Sequence, residues 1–364
     1  MFSSDWSRAA RLRMVRLRAR MRATEPVPLP PYKGSTLRGA FGHAFRRIAC
    51  AYPESFACRP CPLFSSCAYA YIFETAPPDV GTWMGTYQNV PRPYVIEPPD
   101  DVRTAYDPGD ALELDIVLFG RGVAYVPHVA FALVEMGRRG LGARRGRFHL
   151  EAIASVRADG TLGPLVFNGE TQQLATAHVV TVTGADLAEP ASAGHPQRLR
   201  LSFVTPTRLQ RDGHLVDKPE MSLLVRALLR RVSALLVFHQ GEEPPTNVRS
   251  LLDRVDRTVR LVAQEIHWLD WERYSNRHRE RMKLGGIVGW AEYAGEGIAD
   301  VVPWLRLAEW VHLGKNAVFG LGKIAVSVEE GEAGSGMPTV GHVDRQTKRG
   351  EEPCAPASAK PFPN

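Results

Sequence analysis

The sequence lacks any apolar run long enough to cross a bilayer. Its longest candidate, "LLVRALLRRVSALLVF" (223–238), is broken by Arg226, Arg230 and Arg231. No apolar h-region stands near the start, so a secretory signal is not expected. A transit peptide is not expected either. In "RMVRLRARMR" (13–22), Val15, Leu17, Ala19 and Met21 alternate with Arg16, Arg18, Arg20 and Arg22. That is the period of a strand, not of an amphipathic helix. These absences predict a cytoplasmic protein. Phosphate-loop signatures are missing too. In "HLGKNAVFGLGKI" (312–324), Lys323 is followed by Ile324 where a P-loop needs Ser or Thr. The same glycines run from a helix into a strand, the reverse of a dinucleotide fingerprint. His128, His149, His214, His239, His267, His278 and His312 show no H-x-x-x-H spacing, and no chemistry is assigned to them.

Cysteine is scarce, with five in 364 residues. Four of them, Cys50, Cys58, Cys61 and Cys67, fall within 18 residues as C-x7-C-x2-C-x5-C. The C-x2-C pair has knuckle spacing for tetrahedral Zn²⁺, although the flanking gaps are irregular and no second C-x2-C is present. An iron–sulfur cluster is the alternative occupant. A disulfide is disfavoured in a cytoplasmic protein. A structural zinc, stabilising an insert with little core of its own, is the expectation. Cys354 sits in the tail as a bystander. Arg59 flanks the knuckle.

Positive charge is present in excess, net +6, and it is uneven. Arginines gather in 8–22, 138–147 and 273–281. Such patches suit a polyanion such as nucleic acid, and the plain alternative is a set of solvated faces. Four arginines on one strand face point more strongly to an anion, because like-charged neighbours repel.

The order of elements predicts two ferredoxin-like units. In the first, a strand at 10–22 leads through a Pro-rich turn to a helix at 35–50, with Ser35 or Thr36 as its cap. A Cys-rich insert at about 50–75 follows, then strands at 92–97 and 111–119, a helix at 124–138 and a strand at 147–156. Residues 1–183 form this N-terminal unit, and 184–197 read as a linker. The C-terminal unit, 198–330, repeats the order. It has a strand at 198–205, helices at 220–239 and 247–266, and strands at 268–278 and 286–295 joined through Gly285-Gly286. A helix at 300–312 and a strand at 323–328 complete it. A tail, 331–364, is expected to be disordered. The class is α+β, with tandem RRM-like βαββαβ domains.

At this point "HLGKNAVFGLGKI", preceded by "RYSNRHRERMKLGGIVGW", resembles the C-terminal region of the CRISPR repeat-cleaving endoribonucleases of the RAMP superfamily. "PPYKGSTLRGAFGHAFRR" followed by "CRPCPLFSSCAYAYIFE" resembles the first unit of its cysteine-bearing branch. The resemblance spans about 10–328. It implies a cut in precursor CRISPR RNA, once per repeat and without metal, leaving a 2′,3′-cyclic phosphate and a 5′-hydroxyl. It also implies repeat RNA, precursor and mature, as the partner, with CRISPR effector subunits as further partners.

That chemistry needs a base for the 2′-OH, an acid for the leaving oxygen, and cations or donors for the crowded phosphate. His43, in "GAFGHAFRR", is the catalytic candidate, since an imidazole exchanges protons near neutral pH. Its plain reading is a surface or packed histidine. Tyr32 and Lys33 precede the same helix. Tyr32 would donate to the 2′-OH or the leaving oxygen, or else pack on the turn. Lys33, Arg38, Arg46 and Arg47 are the nearby cations. Gly314, Gly320 and Gly322 would bring backbone N–H groups to RNA phosphates, with Lys315 and Lys323 adding charge. Phe319 is read as a core anchor of that loop. The Arg16–Arg22 stripe and the group Arg273, Arg277, Arg279 and Arg281 would track the RNA backbone. Arg138, Arg139, Arg144, Arg145 and Arg147 form a third cluster. A non-catalytic RAMP subunit that carries guide RNA is the alternative, and a zinc-dependent hydrolase is a third reading.

Overall fold

The computed structural model describes residues 4–52, 57–75, 90–188, 196–211, 213–270, 272–275 and 280–329. The tail, Arg277, Arg279 and the side chains of Arg273 and Arg281 lie outside the described residues.

A short helix, α1 (Ser4–Ala9), precedes the alternating strand β1 (Arg13–Ala23). The small strand β2 (Val27–Pro28) leads into α2 (Gly34–Ala49). After the Cys-rich segment, a single turn of π-helix (Ala70–Glu74) precedes β3 (Tyr94–Glu97). β4 (Ala105–Tyr106) pairs with β2, and β5 (Ala111–Phe119), α3 (Val126–Arg139) and β6 (Phe148–Val156) follow. β7 (Leu162–Asn168), β8 (Gln173–Leu174) and β9 (Val182–Thr183) extend the first sheet. Its path is β3-β5-β1-β6-β7-β8, with β9 on the start of β1. The four strands from the β3 edge have the ferredoxin-like order, with the first strand of the motif between the third and fourth. A one-turn helix, α4 (Gly184–Leu187), carries a Thr183–Asp186 capping box inside the expected linker.

The second unit starts with β10 (Arg198–Thr207) and a small hairpin, β11 (Leu209–Arg211) with β12 (His214–Val216). Helices α5 (Met221–Gln240) and α6 (Val248–Thr258) lead to β13 (Arg260–Leu269). A hairpin of β14 (Glu272–Ser275) and β15 (Glu280–Lys283) precedes β16 (Gly286–Ala294), α7 (Ile298–Val311) and β17 (Ile324–Glu329). The order β13-β16-β10-β17, antiparallel throughout, is the ferredoxin-like arrangement again.

Three local expectations need correction. Lys33 is the N-cap of α2, with no side-chain cap, so neither Ser35 nor Thr36 serves. The helix expected to reach residue 266 stops at Thr258. Leu251, Leu252 and Val255 bury the helical face, and then Arg260–Leu269 pairs with β16 as an edge strand. Sheet pairing overrides the weak helical preference of that stretch. The turn expected at Gly285-Gly286 is a connection from β15 into β16, and the strand expected at 268–278 is divided between β13 and the hairpin.

Alternation on β1 decides the layering. Val15, Leu17, Ala19 and Met21 pack with Leu37, Phe41, Ala44 and Phe45 of α2 and with α3. Met14 turns the other way. With Val95, Val117 and Phe119 it joins the core built by α5 and α7 of the second unit. Both sheets thus belong to one compact unit, Met1–Gly331. Among the described residues no helix is long and apolar enough to cross a membrane.

Candidate active site

Helix α2 places its apolar residues at Leu37, Phe41, Ala44 and Phe45, a spacing that buries one stripe and leaves the opposite one in water. His43 lies on the exposed stripe. No described residue bonds its imidazole. Gly39, one turn earlier on the same face, has open space where a side chain would stand. Arg46 and Arg47 lie one turn later. Arg47 pairs with Glu135 of α3 at 3.1 Å. Arg46 sits over the Tyr69 ring at 5.5 Å and beside Cys50. The result is an exposed imidazole on a bare patch of helix, with two guanidiniums close by.

The glycine-rich loop meets the other end of α2. A Cβ on Gly34 would fall on the Phe319 carbonyl oxygen. Gly320 has φ +80° and lies against Ile96, Pro98 and Tyr32, where a left-handed backbone and close approach both require glycine. Tyr32 donates to the Phe319 carbonyl at 2.7 Å. Phe319 is buried with Leu284 and Leu321, the anchor expected of it. Gly34 and His43 are nine positions apart, about 13 Å along the helix axis. The loop therefore buttresses α2 at a distance from the imidazole.

Several expected roles meet a different arrangement. The N–H groups of Lys315, Gly320, Gly322 and Lys323 bond to Arg208, Ala317, Pro206 and Thr205, so protein acceptors occupy donors expected to hold phosphate. Tyr32 has its hydroxyl engaged. Burial, with the charges of Asp100 and Glu97, pushes its phenol far above the usual range, which keeps the hydroxyl protonated. Lys33 is fully buried. Its ammonium donates to the Asp101 carboxylate at 2.7 Å, the Asp101 carbonyl at 3.0 Å and the Pro31 carbonyl at 3.3 Å. All its donors have acceptors, which leaves none for a phosphate. Arg38 lies between Phe73 and Phe319, at 5.3 and 5.7 Å from their rings. Lys315 is exposed.

The arginine stripe of β1 is on the face opposite α2, and carboxylates of the protein neutralise it. Arg16 reaches Glu97 at 3.0 Å and stacks on Trp310 at 4.3 Å. Arg18 forks onto Asp115 at 2.8 and 2.9 Å. Arg20 reaches Glu151 at 3.1 Å, and Arg22 bonds the same carboxylate. The anion that the repulsion argument demanded is thus supplied by the neighbouring strands β3, β5 and β6.

One group escaped the sequence. Glu97, at the end of the apolar strand β3, is buried to 3% exposure. It accepts from Arg16 and from His312 Nε2 at 3.2 Å, and Lys323 stands 3.4 Å away. Burial alone would lift its carboxyl. Arg16, His312 and Lys323 hold it far below the usual range instead. The other nitrogen of His312, Nδ1, lies 2.9 Å from the Leu321 carbonyl. The available signal was a lone acid ending an apolar strand, a residue class seldom buried without a partner.

Cys50, Cys58, Cys61 and Cys67, together with Phe64, Tyr69 and Ala70, line one small cavity. All four thiols are free. Burial raises the Cys58 thiol, and Arg46 opposes that rise. Among the described residues no three His, Cys, Asp or Glu side chains form a metal-holding group as they stand.

Residues 201–324 match the family model of the CRISPR-associated endoribonuclease Cas6. That match covers about a third of the chain, within the second ferredoxin-like unit. Residues 12–179 match a second model, the AF_1859_N N-terminal domain. An uncharacterized protein of Archaeoglobus fulgidus is 25% identical over 316 residues, covering 85% of this chain and 96% of its own. The Cas6 fold is also seen in a Cas6 product complex, at TM-score 0.52 and 15% identity, with 88% of this chain and 100% of that one covered. Thermus thermophilus Cas6 compares at TM-score 0.51 and 14% identity, covering 87% and 99%.

Proposed function

We propose that this chain is a Cas6-type endoribonuclease that cuts precursor CRISPR RNA within its repeats by internal transesterification. The 2′-oxygen forms a bond to the adjacent phosphorus as the bond from phosphorus to the 5′-oxygen breaks. One proton leaves the 2′-OH and one is delivered to the 5′-oxygen, which yields a 2′,3′-cyclic phosphate and a 5′-hydroxyl. The nucleophile belongs to the substrate, so no metal-bound water has to be generated. The observation that carries this reading is His43, exposed and unbonded on α2 beside the bare surface at Gly39. Its imidazole moves the proton, and Arg46 and Arg47 face the charge that gathers on the phosphate. Tyr32 and Lys33 act through the loop and helix that they hold, not on the phosphate.

The test incubates the full chain and EDTA with repeat RNA, with the same RNA carrying a 2′-deoxy sugar at the cut, and with a His43→Ala variant. Cleavage only of the all-ribose RNA, and loss of about 10²–10⁴-fold on H43A with binding retained, is expected. Full cleavage by H43A would remove the imidazole from the mechanism. Absence of cleavage by the unaltered chain would leave an RNA-carrying subunit.

The four thiols round one cavity support a structural zinc in the Cys-rich segment, with Cys50, Cys58, Cys61 and Cys67 as its ligands once the cavity closes on the ion. Metal content near one zinc per chain, and loss of thermal stability on chelation, are expected. A metal-free purified chain with unchanged melting in chelator would sink it.

A further inference from the structure

The arginines of the β1 stripe have carboxylate partners. The tip of the loop 140–147 differs from that stripe. Arg144 and Arg145 are exposed at its tip, and Arg138 is exposed at the end of α3. Among the described residues no carboxylate pairs with any of the three. Arg147, at the base, is neutralised by Glu25.

The backbone that carries this charge is fixed. Leu141 donates to the Gly146 carbonyl at 2.8 Å, and Arg145 donates to the Gly142 carbonyl at 3.2 Å. Gly140 lies on the Arg145 carbonyl and Gly142 on the Pro28 carbonyl, so the turn is clamped to itself and to the segment before α2. Arg145 itself has φ +51°. A side-chain-bearing residue adopts that conformation at a cost of about 1–2 kcal/mol, and it persists only where the surroundings over-determine it. The consequence is that the backbone carrying two adjacent exposed arginines is fixed before any partner arrives. A preordered contact avoids part of the entropy that binding otherwise loses.

The loop is also continuous with the site. Glu135 of α3 is shared by Arg47 of α2 at 3.1 Å and Arg139 at 4.0 Å. Arg47 is one turn from His43. A path of cationic groups therefore runs from the imidazole across the paired helices to the loop, on the face of the sheet that the β1 stripe does not share.

We propose that Arg144 and Arg145, with Arg138, grip phosphates of the RNA strand that extends away from the cut at His43. The partner is RNA because the three cations are exposed, lack a carboxylate partner among the described residues, and are carried on a fixed backbone linked to the proposed site through Arg139, Glu135 and Arg47. This inference rests on the proposed nuclease reading, and its test separates the two.

The test measures binding of a repeat RNA carrying the 2′-deoxy sugar, by fluorescence anisotropy across a salt series, with the full chain. The pair R144A/R145A is compared with R226A/R249A, which removes equal charge from exposed positions on α5 and α6. R144A/R145A should weaken affinity at least five-fold at 0.1 M salt. It should also lower the slope of log affinity against log salt by about 1–2, as expected for two lost phosphate contacts. Single-turnover cleavage at saturating protein should keep its rate. Equal affinity and slope, or a loss matched by R226A/R249A, would overturn the proposal, and a loop that serves a protein partner would give that result. Failure of the nuclease reading shows independently, as absence of cleavage by the unaltered chain.

Discussion

Glu97 of β3 accepts a hydrogen bond from His312, which begins the glycine-rich loop, at 3.2 Å. The two residues are 215 positions apart and come from different ferredoxin-like units. With Arg16 and Lys323 around the same carboxylate, one buried anion fastens the edge of the first sheet to the loop of the second.

Removing that anion takes the carboxylate away from the buried His312 and from Arg16, while Lys323 keeps Asp100 at 3.0 Å. Glu97→Ala should destabilise the chain by about 3–5 kcal/mol, the usual cost of breaking a buried pair from one side. Glu97→Gln keeps an acceptor and should cost less. Because the native carboxyl titrates below the unfolded one, its contribution is present above the ordinary carboxylate range and is lost only as pH falls well into acid. Denaturant titration of both variants checks this. A Glu97→Ala chain as stable as the parent would refute the fastening role.

Gly39 is a helical glycine with nothing opposite it. Gly39→Ala should therefore raise stability by about 0.5–1 kcal/mol, the helix-propensity difference, without touching any neighbour. Gly39→Leu is also a good helix former, but its side chain covers the bare patch beside His43. Its melting temperature should hold while single-turnover cleavage falls ten-fold or more. Undiminished cleavage by Gly39→Leu would show that RNA does not approach His43 across that surface.

His239 is fully buried at the end of α5. Its Nε2 donates to the Pro91 carbonyl at 2.7 Å, and Tyr71 donates to Nδ1 at 3.1 Å, an arrangement that needs the neutral ring. Burial pushes its pKa down to about 4, against some opposition from the Pro91 bond. The unfolded ring takes up a proton near 6.5, so stability must fall as pH drops from about 6.5 to 4. The loss at the lower end is about 3 kcal/mol. His239→Gln removes this titration. Thermal melts from pH 7.5 to 4.5 should show the parent losing stability faster than the variant, and parallel curves would contradict the assignment.

Much of the architecture was legible because it depends on local periodicity. Alternation on β1, the apolar stripe of α2 and the order of elements are consequences of which side chains avoid water, and they led to two tandem ferredoxin-like units. The end of α6 was not legible, since Arg260–Leu269 becomes a strand only by pairing with β16. His43 was legible as a residue type in a family-like stretch, but its exposure was not.

The sequence by itself determined the composition of each face: which residues alternate, where glycine frees the backbone, and how many cations and thiols the chain carries. Tertiary structure alone decided which charges meet. The β1 arginines looked available because their partners, Glu97, Asp115 and Glu151, are distant in the chain and adjacent only across strands. Lys33 looked catalytic until Asp101 folded onto it. Electrostatic energy depends on distance in space, and a sequence fixes that distance only between near neighbours.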